Sequence, residues 1–160
     1  MSEETGSQSV RAVRGSAIRD LLSVTERPGV LSLAGGLPAP ELLPAERVAH
    51  AAEAALQSPS ALQYGLTAGA PTLRDVVHAR ESAALGRDAG AVVVTHGSQQ
   101  ALSLLAQALL DPGDVVVVED PGYIGALQAF DTTRARVIGV PMDADGMRVD
   151  ELRPLLERER

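Results

Sequence analysis

Apolar residues recur at helical spacing through the first half of the chain and bunch into short β-branched runs through the second. Ile18, Leu21 and Leu22 share one face of a short helix predicted over residues 16–24, with Ser16 placed to cap it. Pro28-Gly29 breaks that helix, and Val30-Leu31-Ser32-Leu33 reads as a short extended piece. Residues 34–40 hold too much glycine and proline for regular structure. A helix is predicted over residues 44–57, with Pro44 in its first turn and Val48, Ala51, Ala52, Ala55 and Leu56 forming an apolar stripe. Residues 58–70 read as a loop carrying Gln63-Tyr64-Gly65, after which Pro71 opens a helix that Gly86 closes.

From residue 91 the period changes. Residues 91–95, 115–118 and 136–140 are continuous apolar runs about twenty residues apart, separated by helical stretches at 98–110 and 122–130. This alternation predicts βαβ units in an α/β fold with a mostly parallel sheet buried on both faces. The strand C-termini and their loops then line one edge. Asp150 reads as the cap of a charged helix beginning at Glu151. Three strands make a narrow sheet with unprotected edges, so the sequence reads as the front part of a larger domain.

Composition narrows the function. The chain has 160 residues, one ordinary domain, and its 45% hydrophobic and 22% charged residues are those of a globular protein. Its first ten residues are Ser/Glu/Gln-rich and predicted to be disordered. A net charge of -7 and a pI near 4.9 argue against nucleic acid or an anionic membrane surface as partner. The acidic start is unlike a secretory signal, and no run approaches the roughly 18 apolar residues of a membrane span, so a cytoplasmic protein is expected. With no cysteine, these residues form no disulfide and perform no thiolate chemistry. His50, His78 and His96 are too scattered for a metal cluster. All 14 basic residues are arginine, and without lysine no Schiff base on a lysine can form within these residues.

The sharpest local signal is Val94-Thr95-His96-Gly97-Ser98-Gln99-Gln100-Ala101, where an apolar run ends, glycine permits a turn and a helix begins. Unpaired N–H groups, the helix dipole and a hydroxyl there suit a phosphate, while Ser98 serves equally well as a plain helix cap. Glu119-Asp120-Pro121-Gly122-Tyr123 follows the next run, which would set Tyr123 beside that site with a face for a planar ring. A tyrosine packed in the core is the competing reading, although two of the three aromatics, Tyr64 and Tyr123, sit in glycine-bearing loops. Glu119 and Asp120 read better as a solvated strand end than as a paired-carboxylate site. Gly35-Gly36 lacks dinucleotide-fingerprint spacing, leaving a turn or a close approach to ligand as equal readings. His96 reads as a strand-end residue.

Several segments, taken in order, resemble the class I/II aminotransferases. They are Ser16-Ala17-Ile18-Arg19, Leu33-Ala34-Gly35-Gly36-Leu37-Pro38, Ala61-Leu62-Gln63-Tyr64-Gly65, Gly97-Ser98-Gln99-Gln100, Asp111-Pro112-Gly113-Asp114 and Glu119-Asp120-Pro121-Gly122-Tyr123-Ile124-Gly125. The branch is similar to the 2-aminoadipate and kynurenine aminotransferases, and the resemblance runs from Ser16 onward. It implies pyridoxal 5′-phosphate (PLP) on a fold-type-I large domain, in a homodimer acting on an amino acid and a 2-oxo acid. The division it implies is a disordered segment over 1–15, an N-terminal arm with helices over 16–90, and the first βαβαβ part of the large domain over 91–160.

Carried over by position, Ser98 and Gln99 hold the cofactor phosphate and Tyr123 stacks on the pyridine ring. Tyr64 reaches the phosphate of the neighbouring subunit's cofactor, and Gly36 lines the substrate site with Arg19 nearby. In the family, the Schiff-base lysine, the remaining ring contacts, the substrate-carboxylate arginine and the small C-terminal domain all lie C-terminal to these motifs, and none is among the 160 residues. The chain therefore reads as an N-terminal part of an aminotransferase, inactive alone. The alternative is a non-catalytic pseudoenzyme or binding module that pairs with a full-length relative and donates Tyr64 across the interface.

Overall fold

The computed structural model describes Ser7, residues 29–30 and residues 36–159. The helix expected over residues 16–24, Arg19 with it, and most of the segments 1–15 and 30–33 lie outside the described residues. Residues 36–95 form one compact unit, and residues 96–159 belong to another.

In the first unit, short 3-10 turns at Pro40–Leu42 and Pro59–Leu62 each start on a proline. Helix α1 covers Ala45–Leu56 and α2 covers Pro71–Leu85, close to the predicted spans. Pro44 stands just before α1 rather than in its first turn, because its ψ of 59° is not helical. The apolar stripe of α1 is present, but Val48 and Leu56 are exposed. Gly86 ends α2 in the left-handed conformation. The chain then folds back on the helix: His78 Nε2 lies 2.7 Å from an Asp88 carboxylate oxygen, and the Ala89 N–H donates to Ser82 Oγ at 3.0 Å.

Residues 91–95, expected as a strand, are not one. A strand needs a ladder, and this segment's hydrogen bonds go elsewhere. The Val94 N–H donates to the Ala68 carbonyl at 3.0 Å, and Arg74 Nε donates to the Val92 carbonyl at 2.9 Å.

The second unit contains α3 (Gly97–Leu109), β1 (Val115–Asp120), α4 (Ile124–Asp131), β2 (Arg136–Asp143), β3 (Gly146–Met147) and α5 (Val149–Arg158). Sheet order is β1-β2-β3. The β1–β2 ladder is parallel, pairing Val116 with Val137 and Val118 with Gly139, whereas β3 adds a short antiparallel pairing at Met142 and Asp143. Val115 to Val118 are half-buried, not enclosed on both faces as expected, since the helices cover only part of the sheet. Helices α3 and α4 pack together, with Ala106 and Ala129 buried. Val140 of β2 and Leu155 of α5 are buried and line one shared groove. Removing a side chain of that size from water contributes about 1.5–3 kcal/mol.

Asp150 does not cap α5. Arg148 holds that position, and its guanidinium reaches forward to the Asp150 carboxylate at 2.8 Å, which draws the helix start back to Val149. At the other end Arg136 pairs with Glu159, tying the start of β2 to the end of α5. The Arg136 hydrogen bond, helped by one from Arg158, holds the Glu159 carboxyl below its ordinary value of 4.5. A carboxyl lowered by folding contributes stability above that ordinary value and loses it as pH falls through the folded-state value. Circular dichroism melts from about pH 6 down to about pH 3 should show the chain losing stability in acid. Glu159→Gln should be less stable at the upper end and lose less on acidification. Parallel pH profiles for the two proteins would contradict this role for the ion pair.

Candidate functional site

Chemistry-bearing groups of the second unit converge where two helices begin. Residues 91–95 lead into His96, the chain turns at Gly97 with φ of +78°, and α3 starts at once. The first-turn N–H groups of a helix have no carbonyl four residues behind them, so the start of α3 carries a partial positive charge. His96 occupies the cap position and supplies no side-chain cap bond. Instead the Gln100 side chain reaches back and accepts from the His96 N–H at 2.6 Å. Ser98 is therefore not a cap. It sits inside the first turn with an exposed side chain.

β1 delivers the second part. Glu119 and Asp120 are exposed at the strand end, as expected, and Asp120–Pro121 is a cis peptide bond. At Gly122 a β-carbon would stand 2.6 Å from the Glu119 carbonyl oxygen, so this turn admits only glycine. Tyr123 then caps α4 and is 61% exposed, a placement that answers the competing core reading.

The two helix starts meet on Gly125, which is buried in the first turn of α4. The Gln99 carboxamide donates through Nε2 to the Gly125 carbonyl at 2.7 Å. A β-carbon on Gly125 would lie 2.6 Å from Gln99 Oε1 and 2.7 Å from both Cζ and Oη of Tyr123. The amide and the phenol are thus neighbours across one missing methyl group. Sequence reasoning anticipated Gln99 and Tyr123 but missed Gly125. The available signal was a glycine two residues into a helix, where it costs about 1 kcal/mol against alanine and so calls for a reason.

Tyr64 and Gly36 belong to the first unit. Tyr64 is almost wholly exposed, and Gly36 makes a turn with φ of +57° and nothing within 4 Å of where a β-carbon would stand. Arg19 lies outside the described residues. Among the described residues there is no cluster of three metal-ligating side chains, and no helix is long and apolar enough to cross a membrane.

Residues 29–160 match the family model for aminotransferase class I and II. The chain is 45% identical over 150 residues to the 2-aminoadipate transaminase of Thermus thermophilus, covering 92% of this chain and 37% of that protein. It is 39% identical over 159 residues to aromatic-amino-acid aminotransferase 1 of Thermococcus litoralis, covering 97% and 38%. Among solved structures, the kynurenine aminotransferase of Pyrococcus horikoshii in complex with PMP is similar with a TM-score of 0.87 and 37% identity. The match covers 98% of this chain and 39% of that one. The α-aminoadipate aminotransferase of Thermus thermophilus, complexed with N-(5′-phosphopyridoxyl)-L-leucine, is similar with a TM-score of 0.83 and 41% identity, covering 98% and 39%. The chain spans less than two-fifths of the length of these relatives.

Proposed function

The chain belongs to the class I and II aminotransferase family, with the fold of PLP-dependent fold-type-I enzymes, and from that premise we propose that it supplies the N-terminal part of an enzyme moving an amino group between an amino acid and a 2-oxo acid. In this reading residues 91–160 open the cofactor-binding large domain, residues 16–90 are the arm and helices before it, and residues 1–15 precede them. The observation that carries the reading is the meeting of Gln99 and Tyr123 on Gly125 at the N-terminus of α3.

That arrangement fits the phosphate end of PLP. The N–H groups of Ser98 and Gln99 and the Ser98 hydroxyl point donors and dipole at an anion. Tyr123, held exposed beside them, gives a face for the pyridine ring. When bound, the cofactor supplies the electron sink for carbanion chemistry. Tyr64, carried on an exposed loop, serves the cofactor of the other subunit in a homodimer. Gly36 and Arg19 serve the amino-acid substrate.

Titration of the chain with PLP, followed by phosphorus NMR, tests the site. Two or three charge-assisted hydrogen bonds at about 1.5–3 kcal/mol each, less the cost of immobilising the ligand, leave roughly millimolar affinity. Replacing both Ser98 and Tyr123 by alanine should remove the response, and His96→Ala should leave it. Equal binding by the chain and the double variant would sink the assignment.

A further inference from the structure

Gln99 presents a backbone N–H and a carboxamide to different neighbours, and the structure separates the two. Its backbone N–H belongs to the first turn of α3. Its side chain turns away along the other helix and donates to the Gly125 carbonyl at 2.7 Å. That carbonyl lies two residues beyond Tyr123, in the first turn of the helix that Tyr123 caps. No β-carbon intervenes, so the amide oxygen and the phenol both close on the space where one would stand. Resting on the cofactor-site reading above, we propose that the Gln99 carboxamide is a positioning residue: it sets Tyr123 over the N-terminus of α3 by fixing the first turn of α4, and takes no part in holding phosphate itself. The length of the side chain is tied to this work. It spans two helix starts, and a donor at its tip is what the carbonyl requires.

The role is testable with and without ligand. In the ligand-free chain, the ring current of Tyr123 should displace the α-proton resonances of Gly125, and Tyr123→Phe should shift the same signals, assigning them. Gln99→Ala should return those resonances toward ordinary values. Gln99→Glu, the same size but without a donor at neutral pH, should do likewise. With PLP added, the chain should show changes in both the phosphorus line and the Tyr123 ring signal. Gln99→Ala should keep the phosphorus response within about threefold in affinity, since the backbone donors remain, and lose most of the ring response. Gly125→Ala, which favours helix locally, should displace the ring while leaving α4 intact by circular dichroism.

Unaltered Gly125 resonances in Gln99→Ala would overturn the proposal, as would a wild-type ring response in Gln99→Glu. Loss of the phosphorus and ring responses together in Gln99→Ala would also overturn it, by placing the amide in the phosphate site itself. A chain that shows ring-shifted Gly125 signals but no phosphorus response to PLP would instead refute the cofactor-site reading and leave the Gln99–Tyr123 linkage standing.

Discussion

Gly69→Ala will cost the unit over residues 36–95 about 2–6 kcal/mol, enough to shift its folding equilibrium about thirtyfold or more. Two separate penalties add. Gly69 has φ of +97°, where an alanine costs about 1–3 kcal/mol. Its new β-carbon would then stand 2.6 Å from both Cβ and Cγ2 of Val94. Val94 has little room to yield, since its N–H is committed to the Ala68 carbonyl at 3.0 Å. Overpacking of this kind costs a further 1–3 kcal/mol or so. Hydrogen exchange at the Val94 amide should accelerate accordingly. Gly65→Ala is the control, because that position has open space around it and should leave the exchange rate unchanged. Equal rates in Gly69→Ala and the parent chain would show that residues 91–95 are not held by this turn.

The 160-residue chain, purified and freed of any lysine-bearing tag, will transfer no amino group from any donor to a 2-oxo acid in the presence of PLP above a protein-free blank. Its 14 basic side chains are all arginine. Arginine keeps its proton at any working pH and does not offer the amine that holds such a cofactor covalently and carries the substrate's proton. In the proposed reading Ser98, Gln99 and Tyr123 would hold and orient the cofactor, and no lysine among the 160 residues could anchor it covalently. Product formation followed by proton NMR decides the matter, and turnover above the blank by homogeneous chain would contradict the assignment of roles.

Helices were legible where punctuation and periodicity agree, as in α2, opened by Pro71 and closed by Gly86. The runs at 115–118 and 136–140 were legible as strands because each finds the other in parallel register. Residues 91–95 have the same β-branched character and fail as a strand, since a strand is a property of a pair and here Val94 bonds a turn carbonyl and Val92 an arginine. The sequence put Gln99 and Tyr123 at the starts of two successive helices, and the structure brings their side chains together. The cap expected at Ser98 is not formed, because the Gln100 side chain supplies the return bond. Gly125 was harder to read: its value lies in what the nearby Tyr123 and Gln99, 26 positions away along the chain, put where its side chain would be.

The sparseness of the enclosed core has a thermodynamic reach of its own. Among the described residues, Ala106, Ala129, Val140 and Leu155 are the buried apolar side chains, while Val48, Leu56, Leu104, Leu105, Leu109 and many others already meet water in the folded chain. Unfolding therefore hydrates little new hydrocarbon. The heat-capacity increment and the denaturant m-value both scale with newly exposed surface and will be small for a chain of this length. Its stability curve will be a low, flat dome, with melting spread over a wide range of temperature and only a weak optimum between cold and heat.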